Sequence, residues 1–377
     1  MILYIASILL CLVSYSIPQL RKSLLWYNLC MCILCVFLCF GYMTGSDWRQ
    51  YEPMYNEIDF HNLFYNYFAE PGYYIYMLIF KFMHFSFWNF FILTKVIIFF
   101  LCARIINEYV PEFRFLVWMF FLPWFGFYLF IDNPMRNLIA VAIFLYASRY
   151  IINRSFLKYC ICICLAVSFH FSATIFFPLY SLFTKRISTL SFIVFFVIFI
   201  GISINRDLFS SIIEHVFGSS PYIQKKIEFY IMGDNPDGEG KGISLGMFIH
   251  LFFFILLLLY RNRIEQTKSG TFILNASLFY LLIYRLGSTI DIFSRFQLYL
   301  SVFYSIGIVL LINIFTRSSR YIYIISLLCL SFIASSKIFS YKYIPYTNYL
   351  YYILIDEYPS FEYRSDYNYR NTPYSQQ

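Results

Sequence analysis

The sequence is short of charge. Only 13% of its 377 residues are Asp, Glu, Lys or Arg, against about 25% in an ordinary soluble domain. With 60% hydrophobic residues, that shortage excludes a water-soluble globular fold and leaves a polytopic membrane protein. There is no Asp-x-Asp pair and no cluster of acids of the kind that holds Mg²⁺, so neither metal nor cofactor is expected. The glycines of Gly233-Asp-Asn-Pro-Asp-Gly-Glu-Gly-Lys-Gly242 follow no strand, which makes them turn chemistry, not a phosphate loop. The first apolar run has no small-residue cleavage site, and a second run soon follows, so it reads as a span and not as a signal peptide. No soluble domain and no internal repeat is evident. Ten cysteines are present. Cys30, Cys32 and Cys35 share one apolar run, and Cys160, Cys162 and Cys164 share another; on a helix this spacing scatters the thiols, which read as small hydrophobes.

What is abundant is aromatic. With 47 Phe and 37 Tyr, no single ring can mark a site. The net charge of +8 comes from short basic clusters between apolar runs, a pattern that sets membrane topology and requires no nucleic acid.

A span needs about 20 apolar residues. Ile2–Ile17 and Leu24–Met43 straddle Arg21 and Lys22, which places the N-terminus and the loop after Met43 outside. Gly72–Phe87, with Lys81 and His84, reads as an interfacial helix. Phe90–Ile106 crosses, and Phe115–Ile131 and Met135–Ile152 form a hairpin about Asp132-Asn-Pro134. Leu157–Phe183 is basic at both flanks and carries His170 near its middle. Charge parity predicts that it is broken and re-entrant, which is tolerated where backbone lines a cavity. Leu190–Ile204, Ile243–Tyr260, Thr271–Leu286, Phe296–Phe315 and Tyr321–Ile338 complete the count. The expected fold is all-α, with roughly 10–12 transmembrane or re-entrant helices. It forms one polytopic domain over residues 1–338 with outer loops at 44–70 and 205–242. A Tyr-rich tail, 339–377, follows on the outside, and its end from Glu362 is expected to be disordered.

The chain is organised around its first long polar loop, from Gly45 to Tyr73, which sets Asp47, Arg49, Glu52, Glu57, Asp59 and Glu70 among Tyr and Trp. Carboxylates and guanidinium groups ringed by aromatic faces suit a sugar, or a phosphate attached to one. Ionisable residues inside spans cost roughly 2.5–3.5 kcal/mol each. Arg136 follows Pro134 at the outer start of a helix, where the alternative is a snorkelling side chain. His170, between two phenylalanines, is either a neutral ring bonded to a neighbouring helix or a group that moves a proton. Arg285, Asp291 and Arg295 bracket one outer turn. Asp291 and Arg295 also suit a plain i,i+4 pair, whereas two arginines facing a cavity suit a pyrophosphate. By parity Asp47, Arg49, Glu70, Arg136, Arg285 and Arg295 all lie on the outer side, where they are expected to share one pocket.

The ordered set Gly45-x-Asp47-Trp-x-x-Tyr51-x-x-x-Tyr55, Glu70-Pro-Gly-Tyr73, Met135-Arg-Asn-Leu-Ile-Ala140, Phe169-His-Phe-Ser-Ala173, Ser294-Arg-Phe296 and Tyr343-Ile-Pro-Tyr346 resembles the EpsG-like family. These are Wzy-type polymerases of exopolysaccharide, capsule and O-antigen. The departures are Trp48 where Tyr is usual and Asn137 where Gln is common. The resemblance implies a GT-C-like glycosyltransferase in the bacterial cytoplasmic membrane. It would join undecaprenyl-pyrophosphate-linked oligosaccharide repeat units at the outer face, with membrane lipid, a chain-length regulator and a flippase as candidate partners. On that reading Arg136, Arg285 and Arg295 bind pyrophosphate or sugar, Asp47 or His170 is the base, and Arg49 and Glu70 orient the acceptor. An O-antigen-ligase-like or other lipid-linked glycosyltransferase is the alternative enzyme. A lipid-linked oligosaccharide flippase is the alternative of another class, and it would show duplicated halves.

Overall fold

A chain this poor in charge satisfies its backbone inside a bilayer by closing hydrogen bonds within each segment, which helices do. The computed structural model describes residues 1–59, 70–132, 134–204, 245–267, 269–287 and 291–372. Among the described residues the structure is helical apart from one strand pair, Gly41–Tyr42 antiparallel to Thr347–Asn348. Among the described residues four helices are long and apolar enough to cross a membrane: Phe87–Tyr109, Met135–Ile152, Phe293–Ile314 and Arg317–Ile338. Eight shorter apolar helical segments accompany them. The all-α, multi-pass reading is borne out. Ile2, Leu25, Leu190, Leu259 and Ile322 are exposed, an apolar surface that suits lipid and not water.

The chain divides into two compact units. The first comprises Met1–Tyr146, Cys164–Phe171 and Phe315–Gln377, so the tail set apart in the sequence reading packs with the N-terminal helices. Its core gathers on Arg114–Phe121, every residue of which is buried. Ile2–Ser16 and Arg317–Ala334 both pack on this helix, and Leu24–Cys39 packs on Phe87–Tyr109. Buried polar groups hold the crossings. Trp118 donates to the Tyr27 hydroxyl, which donates to Ala103 O. Arg114 donates to Arg21 O, Ser23 O and Asn107 Oδ1. Tyr4 on the first helix donates to Tyr343 O at 2.9 Å.

The second unit comprises Ala147–Ile163 and Ser172–Ile314. Its centre is the pair Gly270–Gly287 and Asp291–Leu310, on which Thr189–Ile204 and Leu245–Leu259 pack. Gly307 lies against Ser277, whose Oγ fills the place a Cβ would take, and small residues of this kind let membrane helices approach closely. The outer loop expected at 205–242 lies outside the described residues.

Two expectations fail. The stretch after Gly45 is not all loop: Trp48–Glu57 is a helix, with Trp48, Tyr51, Glu52 and Tyr55 buried. Those positions recur at helical spacing, a period that the polar composition hid. Nor is the tail disordered over residues 362–372, the described part of that stretch. Phe361–Asn371 is a helix capped by the Ser360 hydroxyl, and it has something to pack against. Arg364 donates to both Glu52 oxygens, at 2.6 and 2.9 Å, with both residues buried. Trp48 meets Phe361 edge-on, and Tyr341 stacks on Tyr369.

Removing one member of a buried ion pair strands the other, at about 3–5 kcal/mol. Arg364→Ala is therefore expected to lower the thermal unfolding midpoint of the detergent-purified protein sharply. Glu52→Gln together with Arg364→Met should recover most of the loss. A double variant no more stable than Arg364→Ala would contradict the stranded-charge explanation.

Candidate active site

The site begins at a glycine. Gly45 has φ +80°, a region that glycine enters without penalty, and a Cβ there would collide with Ile131 O. This close approach lets Ser46 reach Asp132, donating from its N–H at 3.0 Å and from its Oγ at 2.7 Å. Lys342 closes the other side of Asp132 at 3.0 Å. Three segments far apart in the chain meet at one carboxylate. Asp132 itself is delivered by two π-helical turns, Leu122–Gly126 and Tyr128–Asp132, that widen the end of the preceding helix; such turns recur at functional positions.

Pro134 follows, its carbonyl accepting from Leu138 N–H, and so starts the helix Met135–Ile152 with Arg136 in its first turn. Arg136 Nη1 meets Glu70 Oε2 at 2.9 Å, and its Nε lies 3.5 Å from the Tyr51 hydroxyl. Glu70 stands immediately before Pro71 at the start of the helix Pro71–Phe82. Its second oxygen accepts the Phe171 N–H at 3.2 Å. That N–H lies just past the end of the helix Phe156–Phe169. His170 N–H closes the last bond, to Ala166 O, and the chain then tightens into a 3₁₀ turn over Phe171–Ile175. The break expected in the Leu157–Phe183 segment therefore falls at His170, and Glu70 holds the turn open toward Arg136. Gly72 makes this possible, since any Cβ on it would strike Ser168.

Tyr51 and Tyr73 pack at 5.4 Å beside the pair. Burial pushes the Tyr73 phenol well above its ordinary range; Tyr51 and Asp47 add to this, and the Arg136 cation opposes it. Asp47, Tyr51, Tyr73, Glu70 and Arg136 therefore share one electrostatic neighbourhood. The Tyr73 hydroxyl and the Asn137 side-chain amide are buried with no partner among the described residues. Buried polar atoms are normally satisfied, so these are groups that a bound hydroxyl would complete.

Arg49 is placed differently from the sequence expectation. Its Nη1 donates to Gly45 O at 2.7 Å and its Nε to Ser365 O at 3.0 Å, so it fastens the Gly45 turn to the C-terminal helix. Burial lowers its pKa, and its Nη2 is buried without a partner among the described residues. Of the residues singled out from sequence, Asp47, Arg49, Glu70, Arg136 and His170 belong to the first unit, and Arg285 and Arg295 belong to the second. Arg295 is half-buried early in the helix Asp291–Leu310; the Arg285 side chain lies outside the described residues.

A sequence profile of the EpsG family matches residues 24–350. The chain belongs to the EpsG family. This is a family of Wzy-like polysaccharide polymerases, so the protein is a membrane polymerase of polysaccharide biosynthesis. Comparison with curated proteins and with solved structures gives no match. In this EpsG protein the profile covers every landmark from Gly45 to Tyr346 and stops short of the Phe361–Asn371 helix.

Sequence reasoning gave no weight to several ionisable residues that the fold buries or pairs. Asp132 was visible only as a turn residue, and Lys342 only as a tail cation. Lys95 had a plain signal, a cation inside the apolar run Phe90–Ile106, which also holds Arg104. It is fully buried over the Phe91 ring at 4.7 Å. His250 was passed over in the same way; it bonds the Tyr304 hydroxyl at 3.0 Å.

Gly45→Ala forces a strained backbone against Ile131 and is expected to cost about 1–3 kcal/mol. Asp132→Asn keeps the shape and an acceptor for Ser46 and loses a pair whose Lys342 end is 35% exposed, about 1 kcal/mol or less. Thermal unfolding in detergent should rank the two in that order; the reverse ranking would remove the role given to the Gly45 approach.

Proposed function

We propose that this EpsG protein joins lipid-pyrophosphate-linked oligosaccharide repeat units by block glycosyl transfer at the outer face of the cytoplasmic membrane, on a GT-C-like helical scaffold. Undecaprenyl pyrophosphate is the leaving group. The observation that carries the reading is the Glu70 carboxylate held between the Arg136 guanidinium and the Phe171 N–H, one residue from His170. At rest Glu70 neutralises the Arg136 guanidinium. The Arg136 side chain nevertheless keeps 25% of its surface exposed, against 7% for Glu70, so an incoming diphosphate can reach it.

Guanidinium matches phosphate oxygens bidentately and cannot lose its charge. A diphosphate that takes Arg136 frees Glu70 to orient the acceptor sugar. In the transfer, an acceptor hydroxyl oxygen bonds to the anomeric carbon of the donor glycan, and the bond from that carbon to the pyrophosphate oxygen breaks. The hydroxyl proton goes to His170 or Asp47 as base, and the negative charge gathers on the departing pyrophosphate, where Arg136 stabilises it. Arg285 and Arg295 contribute further cations for pyrophosphate or sugar. Arg49, with its remaining Nη2, and the unpartnered Tyr73 hydroxyl are acceptor contacts.

The test is a strain lacking the protein, complemented with Arg136→Ala, His170→Ala or Arg295→Ala at matched membrane abundance. Each is expected to lose polymer and to accumulate single lipid-linked repeat units, with at least about a hundredfold loss for Arg136→Ala. Full-length polymer from all three variants would remove the proposed site.

A further inference from the structure

In the second unit the apolar helix Leu245–Leu259 ends beside the start of the apolar helix Thr189–Ile204. Arg261 Nη1 donates to Thr189 Oγ1 at 3.0 Å, and Phe196 stacks on Phe254 with ring centroids 4.7 Å apart. The two helices are therefore antiparallel neighbours, and the level of Thr189 and Arg261 is where hydrocarbon gives way to water. A cavity of about 470 Å³ opens at that level, lined by Arg186, Ile187, Ser188, Thr189, Arg261 and Asn262.

The cavity is cationic. Glu265 answers both guanidinium groups, accepting from Arg186 Nε at 2.8 Å and from Arg261 Nη2 at 2.9 Å. One carboxylate for two cations leaves positive charge unmatched, and exposed Lys185 and Arg263 add to it. Arg186 keeps 63% of its side chain exposed, while Asn262 holds its Nη2 at 2.6 Å. The guanidinium is thus both pre-positioned and reachable.

The cavity also has an apolar exit. Leu190 and Val197 along one helix, and Ile255 and Leu259 along the other, are exposed. A track of lipid-facing side chains thus starts at the cavity and runs into the membrane. A small soluble anion would leave that track unused. A ligand with an anionic head and alkyl chains fits both parts.

We propose that this cavity is a headgroup site for an anionic phospholipid of the surrounding bilayer, on the side that the basic loops assign to the cytoplasm. The phosphate sits at Arg186 and Asn262, and the chains lie along Leu190, Val197 and Leu259. The site is separate from the catalytic proposal and stands or falls without it.

Native mass spectrometry of the full-length, delipidated protein in neutral detergent tests this, with phosphatidylglycerol, phosphatidylcholine and inorganic phosphate titrated separately. Phosphatidylglycerol should bind in preference to phosphatidylcholine. Arg186→Gln should weaken it about fivefold, the contribution of one surface arginine. Arg186→Lys should keep most of the affinity, and Arg154→Gln, which removes an exposed charge elsewhere in the unit, should leave it unchanged. Unfolding midpoints confirm that each variant is folded. Equal binding by Arg186→Gln, an equal loss in Arg154→Gln, or inorganic phosphate competing as well as the lipid would each overturn the proposal.

Discussion

An ion taken out of water must be met by an opposite charge or by hydrogen bonds, and the first unit of this protein is built around that requirement. Glu70 and Arg136 are 66 residues apart, Asp132 and Lys342 are 210 apart, and Glu52 and Arg364 are 312 apart. Each pair joins segments that apolar packing alone would leave free to slide. The desolvation penalty of such pairs is large, so they add little net stability over well-packed apolar residues. What they add is register. A helix displaced by one turn would strand a charge, and the packing of Phe and Leu has no comparable way to reject that error.

The second unit meets its polar groups differently. Ser277 turns its hydroxyl toward Ile273 O and Phe303 O while making room for Gly307. His250 finds the Tyr304 hydroxyl under a stack of Tyr280 on Tyr304. These are neutral, short-range solutions that let helices sit close together. Charge appears at the end of the bundle, where Arg186 and Arg261 share Glu265.

The C-terminal helix gives this chain a feature that the family profile does not reach. Phe361–Asn371 lies against Trp48–Glu57 through Arg364, Arg49 and Phe361. It braces the same short helix that carries Tyr51 to Arg136. The Gly45 turn is held from two directions: by Asp132 on one side, and on the other by Arg49 reaching Ser365 O. Pre-positioning of this kind is what a site needs if charge is to be stabilised the moment it develops.

The sequence by itself determined that the chain is all-α and crosses a membrane, because hydropathy and backbone satisfaction in lipid are local properties of each segment. Met135–Ile152 appears with the bounds read from sequence, and a break within Leu157–Phe183 was visible as a charge-parity conflict. The ordered landmarks were enough to name the family. Tertiary structure alone decided the rest. Trp48–Glu57 looked like loop because its helix is stabilised by what covers it, not by its own propensity, and Phe361–Asn371 looked unstructured because its partner Glu52 lies more than 300 residues away. Which cation answers which carboxylate is a long-range choice. Arg49 and Arg136 carry the same charge in the same kind of surroundings, and only the fold sends one to backbone carbonyls and the other to Glu70.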